Sequence, residues 1–262
     1  MRRGILREFD PKPGCSVSTL SYEYPRGFDV PEHAHCSDQL IYAVRGLMEV
    51  SASRKLWLIP PHLAIWIPAR TLHAIRMPNR ASMRTLYFRE GLVRRSPTCA
   101  VLHVSSLLRE LVLEAVRLRE LRASDALHRS LRDLIASQLR NAPEVPISVR
   151  LPTDQRALRF AQNFISTLDN STLLTEACRV AGVGIRTIER IFQKEVGMSL
   201  ESWRRQVRLM KAVELLVEGC PVKKVAAEVG YCQPSAFIEL FRDTLGVTPR
   251  VWAASLGKSS EA

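Results

Sequence analysis

Thr175-Glu-Ala-Cys-Arg-Val-Ala-Gly182-Val-Gly-Ile-Arg-Thr-Ile188-Glu-Arg-Ile-Phe192 and Val222-Lys-Lys-Val-Ala-Ala-Glu-Val-Gly230-Tyr-Cys-Gln-Pro-Ser-Ala-Phe237-Ile-Glu-Leu-Phe241 are two versions of one pattern. In each, a short amphipathic helix runs into a glycine, which tolerates the left-handed backbone found beyond helix ends. After a few turn residues a second helix opens with apolar residues four apart, Ile188/Phe192 and Phe237/Phe241. That spacing buries one face and leaves the other free, as entry into a DNA major groove requires. One helix pair around a glycine is common in all-α proteins, but a repeat is not. Phe192 and Phe241 lie 49 residues apart, as do Gly197 and Gly246, a period that marks duplication of one supersecondary unit. The glycines ending the first helices, 182 and 230, fall one short of that register, so the second turn is one residue longer.

Ser199 to Gly219 reads as one continuous helix between the repeats, with serine at its N-cap and glycine just past its end. Trp203, Val207, Met210, Leu215 and Val217 are among its apolar positions. A stiff helix there fixes the separation of the motifs, which reading successive turns of one duplex face requires. Thr248 and Pro249 open a last helix, containing Trp252, expected to cap the core.

Residues 172–254 resemble the DNA-binding domain of the AraC/XylS family of bacterial transcription regulators. The matching pieces are Gly182…Ile188…Phe192…Gly197, the central Arg208-Leu…Ala212, and Val225-Ala…Val229-Gly-Tyr…Ser235-Ala-Phe237…Phe241-Arg…Leu245-Gly-Val-Thr-Pro249. The resemblance implies seven helices, with the second helix of each motif in the major groove. It departs at Gly184, where the family usually has a serine capping the first recognition helix. Carried over position by position, the base-facing residues are Arg186, Thr187, Glu189 and Arg190 in the first motif, and Lys194 joins the DNA-binding set as one of the clustered cations expected to meet phosphates. In the second they are Gln233, Ser235, Ala236 and Glu239. Arginine suits bidentate contact with guanine and glutamate accepts from cytosine, so the first motif is expected to carry more base readout.

The net charge of +12 fits a polyanionic partner, but it does not locate the interface. Residues 154–262 hold 15 Lys/Arg against 12 Asp/Glu, a balance of only +3. Local clustering is more informative: Arg186, Arg190, Lys194, Arg204, Arg205, Arg208 and Lys211 concentrate on the first motif and the helix after it. The chain's start carries charge and no apolar stretch, and no run reaches the roughly 18 apolar residues of a membrane helix. The six cysteines are scattered without a Cys-x-x-Cys pair, so reduced, mostly buried thiols are expected. A cytoplasmic, nucleoid-associated protein follows.

The N-terminal half reads as β structure. Short apolar runs at 40–44, 56–59, 64–67, 73–75 and 85–88 are broken by Gly46, Pro60-Pro61, Pro68 and Pro78-Asn79. Gly27-x5-His33-x-His35-x3-Gln39-x6-Gly46 and Pro68-x-Arg70-x2-His73 resemble the two cupin motifs. Gln39 replaces the usual glutamate and Arg70 a glycine. The resemblance implies a cupin-like barrel over roughly residues 15–90. His33 and His35, two apart, point inward from one strand, and His73 faces them from another. Three imidazoles with an open position can hold Zn2+, Fe2+ or a related ion, whereas neutral Gln39 is a poor hard-metal ligand and argues against a catalytic centre. The alternative is an effector pocket lined by His33, His35, Gln39, Tyr42, Trp66 and His73. Arg70, Arg76, Arg80 and Arg84 would favour an anionic effector unless they are simply solvated.

Residues 105–121 and 124–139 read as two amphipathic helices. Leu108, Leu111, Ala115 and Leu118 form one stripe, and Leu127, Leu131, Leu134 and Gln138 the other. They either pack on the barrel or form a homodimer surface. Residues 141–153 form a proline-punctuated linker, after which Thr153 or Asp154 caps a helix running through Leu168. The fold class is therefore α+β in two domains. Residues 1–140 form the cupin-like effector and dimerisation domain, and 154–262 the all-α domain with tandem helix-turn-helix motifs. The reading is a homodimeric transcription regulator of double-stranded DNA, responding to a small-molecule effector, with RNA polymerase as partner if it activates. It requires no cofactor, a divalent metal at His33, His35 and His73 being the possible exception. The competing class is a metal-dependent cupin enzyme with a helical appendage.

Overall fold

A computed structural model describes residues 4–5, 9–61, 63–145, 148–166 and 174–257. The chain divides into two compact units, one reaching Pro146 without residues 54–56, the other beginning at Ile147 and including them.

In the N-terminal unit ten strands form in order: β1 (Gly4–Ile5), β2 (Cys15–Tyr24), β3 (Asp29–Ala34), β4 (Asp38–Arg45), β5 (Met48–Ala52), β6 (Lys55–Ile59), β7 (Leu63–Ile67), β8 (His73–Arg76), β9 (Ala81–Phe88) and β10 (Ala100–His103). They are followed by helix α1 (Ser106–Leu118), strand β11 (Glu120–Arg122) and helix α2 (Ala126–Asn141), and a further strand, β12 (Val149–Arg150), belongs to the second unit. One sheet runs β1-β3-β8-β5-β6-β12, the other β10-β7-β4-β9-β2-β11. The five apolar runs foreseen between residues 40 and 88 all lie within strands of these sheets. Gly46 holds the β4–β5 turn at φ 82°, where an added Cβ would stand 2.1 Å from the Arg80 carbonyl oxygen; only glycine fits.

β4 and β7 are buried along nearly their whole length because both of their faces are covered. Strand alternation divides them. Leu40 and Tyr42 pack with Ala64, Trp66, Leu86 and Phe88 against Leu108, Val112 and Ala115 of α1 and Leu131, Ile135 and Leu139 of α2. The opposite face carries Gln39, Ile41, Ile65 and Ile67 toward the other sheet.

The helices depart from the expected stripes. α1 stops at Leu118, and Leu121 lies in β11 rather than in a helix. On α2 the buried face is Leu131, Ile135, Ala136 and Leu139, while Leu127 and Leu134 are exposed. Within residues 141–153, His103 N–H donates to the Pro143 carbonyl and Val145 N–H to the Val101 carbonyl. Val149 and Arg150 pair with Leu56 and Lys55.

The C-terminal unit contains α3 (Gln155–Ser166), α4 (Leu174–Ala181), α5 (Ile185–Ile191), a π turn over Phe192–Val196, α6 (Leu200–Val217), α7 (Val222–Glu228), α8 (Pro234–Leu245) and α9 (Pro249–Gly257). Asp154 caps α3 by accepting from the Arg156 and Ala157 N–H groups. The expected end of that helix at Leu168 lies outside the described residues. Trp203 on α6 is enclosed by Phe160, Phe164 and Phe192, with centroids 5.0–6.3 Å away, and its Nε1 donates to the Arg150 carbonyl. At the other end Phe237 meets Tyr231 at a tilt and Phe241 edge-on, and Phe241 meets Trp252 edge-on. All six cysteines are free, but only Cys15 and Cys178 are buried, fewer than expected.

Candidate functional site

Both helix pairs form as read. Gly182 (φ 67°) and Gly230 (φ 83°) turn the chain after α4 and α7. In the first motif Ile188 and Phe192 are buried, while Arg186, Glu189 and Arg190 are exposed and Thr187 is partly so. In the second, Phe237 and Phe241 are buried, and Gln233, Ser235, Ala236 and Glu239 are exposed. Lys194 is exposed, but on the π turn after α5 rather than on the helix itself. Gly184 begins α5 without a side-chain cap, as its lack of a hydroxyl requires. Among the described residues Arg186, Glu189, Arg190 and Lys194 make no ion pair or side-chain hydrogen bond, so their polar ends face water.

The basic residues of α6 behave differently. Arg204 is mostly buried, pairs with Glu201 at 3.1 Å and lies over the Phe164 ring at 5.3 Å. Burial lowers its guanidinium pKa. Arg205 also reaches Glu201, Lys211 pairs with Glu214, and the Arg208 guanidinium lies against Gly230. Of the seven clustered cations, Arg204, Arg205 and Lys211 are thus paired along α6 itself and Arg208 lies beside Gly230, leaving Arg186, Arg190 and Lys194 without an ion pair among the described residues.

The N-terminal unit holds a second polar constellation. His33 on β3 pairs directly with His73 on β8, and His35 follows one residue after β3. The three rings lie 4.3–5.6 Å apart, all buried. His33 Nδ1 donates to the Pro31 carbonyl at 2.7 Å and His73 Nδ1 to the Thr71 carbonyl at 2.9 Å. Those bonds fix the tautomer that leaves each Nε2 with its lone pair. Burial holds the His73 pKa down to about 3, against the pull of the Thr71 carbonyl and with His33 and His35 adding to the effect. It is therefore neutral at physiological pH. Across the interior the His35 ring meets Tyr87 edge-on at 4.9 Å, and Tyr87 pairs directly with Gln39. Among the described residues, Gln39 Oε1, His73 Nε2 and Thr85 Oγ1 find no hydrogen-bond partner although buried. Phe9 stacks on Tyr87, and Asp10 accepts from Cys36 and Ser37.

Two of the six expected pocket residues do not join this site. Tyr42 and Trp66 point to the outer face of their sheet, into the core beneath α1 and α2. Their places are taken by Tyr87 and Thr85, which the sequence reading missed. The arginines are also elsewhere: Arg70 pairs with Glu90, Arg84 with Glu23, and Arg76 lies 3.9 Å from both Asp29 and Glu49.

A helix-turn-helix domain family matches residues 177–255. The regulator NimR of Escherichia coli (strain K12) is 28% identical over 226 residues, covering 86% of this chain and 83% of that protein. RipA of Corynebacterium glutamicum is 34% identical over 99 residues, 38% of this chain and 30% of that protein. A solved structure of ToxT from Vibrio cholerae superposes with a TM-score of 0.39 at 11% identity, covering 92% of this chain and 99% of that one. Two tandem helix-turn-helix units in a helical C-terminal unit, following a sheet-rich N-terminal unit, define a DNA-binding transcription regulator. Over residues 177–255 the chain carries a helix-turn-helix domain, and the relatives it resembles are HTH-type transcriptional regulators. Among the described residues no helix is long and apolar enough to cross a membrane.

Proposed function

We propose that this regulator reads a specific duplex sequence with the outward edges of α5 and α8, and that a small molecule entering the barrel changes its affinity for DNA. The observation that carries the first half is the repeated split of each recognition helix. A buried aromatic anchor, Phe192 or Phe241, stands behind exposed residues: Arg186, Glu189 and Arg190, then Ser235, Ala236 and Glu239. α6 spans roughly 27 Å at 1.5 Å per residue and is anchored at its first turn by Trp203. A rod of that length suits presentation of two readers to successive turns of one duplex, about 34 Å apart. The second half is supported by the buried polar interior, where Gln39, Thr85 and His73 carry unpartnered atoms. Native proteins rarely leave such groups unmatched, and a bound polar molecule would match them.

A homodimer fits the exposed Leu127 and Leu134 on α2 and would place two DNA-binding domains on paired half-sites. If the regulator activates, RNA polymerase is its further partner. Selection from a random duplex pool by the full-length protein tests the reading. The expected result is enrichment of one sequence with steeply salt-dependent affinity, and recovery of an unenriched pool would contradict it.

A further inference from the structure

We propose that the barrel interior selects an uncharged, largely apolar small molecule through a primary carboxamide group, and rejects carboxylates. The inference rests on the reading of the barrel as an effector site and names the chemical class which that site takes. Gln39 Oε1 on β4, Thr85 Oγ1 on β9 and His73 Nε2 on β8 are buried and find no hydrogen-bond partner among the described residues. These atoms belong to one region. Gln39 stands opposite Tyr87 across β4 and β9, and Thr85, two residues from Tyr87, shares its face opposite Ile41. His73 reaches the same region, since its ring lies 5.6 Å from that of His35, which in turn meets Tyr87 at 4.9 Å. Native interiors rarely leave such groups unmatched, and several converging on one space call for a shared partner.

The polarity of these atoms sets the partner. His73 Nδ1 donates to the Thr71 carbonyl, so Nε2 keeps its lone pair and accepts. The Gln39 side chain bonds Tyr87 and still has Oε1, a second acceptor, unmatched. Thr85 contributes a hydroxyl, which donates or accepts. An NH2 group beside a carbonyl matches all of them together: its two N–H donors serve His73 and Gln39, and its oxygen accepts from Thr85. A carboxylate has only lone pairs to offer the two acceptors, and its charge would be buried without a counter-ion. Arg70, Arg76 and Arg84 are engaged elsewhere, with Glu90, with Asp29 and Glu49, and with Glu23. An ammonium group fares no better. Asp38, next to Gln39 in sequence, lies on the alternate face of β4, and its oxygens accept from the Ala69 and Gly91 N–H groups. The face around Gln39 is otherwise Ile41, Ile65 and Ile67, which suits an apolar body behind the amide.

The test titrates full-length protein, labelled with 15N at histidine, with acetamide and benzamide, then with benzoate, methyl benzoate and benzylamine. Benzamide should bind about tenfold tighter than each of its three analogues. It should also move the His73 Nε2 resonance, assigned by its disappearance in His73→Gln. Thr85→Val and Gln39→Leu each remove one partner and should weaken benzamide about tenfold. Should Gln39→Leu fail to fold, Thr85→Val, which exchanges a hydroxyl for a methyl, decides together with the wild-type resonance. Benzoate or benzylamine binding as tightly as benzamide, neither amide binding, or binding that leaves the His73 resonance unmoved overturns the inference. Duplex affinity, measured separately, keeps the two readings apart. Benzoate preferred over benzamide and altering DNA affinity overturns the carboxamide class alone. Benzamide bound as expected with DNA affinity unchanged supports that class and contradicts the effector role.

Discussion

Arg190 shows what a single exposed side chain is asked to do. It stands two residues from buried Ile188 and from buried Phe192, on the exposed side, and makes no ion pair among the described residues, so its guanidinium is available to a base edge or a phosphate. Arg190→Ala should weaken binding to the selected sequence by about 1–3 kcal/mol and relax preference at one base position. Fluorescence anisotropy at moderate salt measures both, and unchanged affinity and preference would remove the residue from the interface. Arg70 shows a different constraint. It replaces the motif glycine but keeps that residue's left-handed backbone, at φ 61°, with its N–H bonded to the His35 carbonyl at 2.7 Å. A non-glycine residue holds this left-handed backbone at a cost of about 1–2 kcal/mol. Asp154 carries a pH signature. Arg156 first, then the Ala157 and Arg156 N–H groups, hold its carboxyl down to about 2. Because the folded value lies below the unfolded one, its stabilisation is whole above about 3.8 and fades as the pH falls through about 2. The stability gap between wild type and Asp154→Asn, measured by urea titration, should therefore shrink between pH 4 and pH 2. A gap that stays constant would show that the charge contributes nothing.

At the scale of elements, the helical half was legible because its signals are local. Glycine after a helix, serine at the start of α6 and proline at the start of α9 act within one turn, and each element forms where its cap stands. The barrel was legible in its strands but not wholly in its site, for a reason of parity. Gln39 and Tyr42 lie three residues apart on β4, so they face opposite sides of the sheet, and Trp66 falls on the outer face because Ile67 is the residue opposite Gln39. That exclusion was available from spacing alone. The identification of Tyr87 was not, since it depends on the β4–β9 register, set across more than forty residues of chain. The α2 stripe was misread for a related reason. Leu131 belongs with Ile135 and Leu139 rather than with Leu127 and Leu134, and a four-residue spacing fits both choices. α6 makes a firmer prediction. Trp203 is fully buried among three phenylalanines, so Trp203→Ala should cost roughly 3–5 kcal/mol. Thermal unfolding would show it, and a loss below about 1 kcal/mol would mean that the aromatic cluster does not anchor α6.

For the whole molecule, the composition alone placed the positive charge poorly. Most of the +12 lies outside the DNA-binding half, and within that half the arginines of α6 are turned to internal use. On the proposed reading the interface rests on a few side chains without ion pairs among the described residues rather than on bulk charge, which would favour specific readout over general affinity for polyanions. Assembly is testable at the same scale. The double variant Leu127→Glu, Leu134→Glu alters two exposed positions, so it should fold normally yet sediment as a monomer where the wild type sediments as a dimer. Equal sedimentation of the two would contradict a dimer formed through this face. The most direct test of the account as a whole is hydroxyl-radical footprinting of the full-length regulator on its selected sequence. We expect each DNA-binding domain to protect two patches about one helical turn apart on one face of the duplex, with Arg190→Ala thinning one patch and Glu239→Ala the other. A single patch, patches on opposite faces, or protection indifferent to both substitutions would contradict a tandem reader held at fixed spacing.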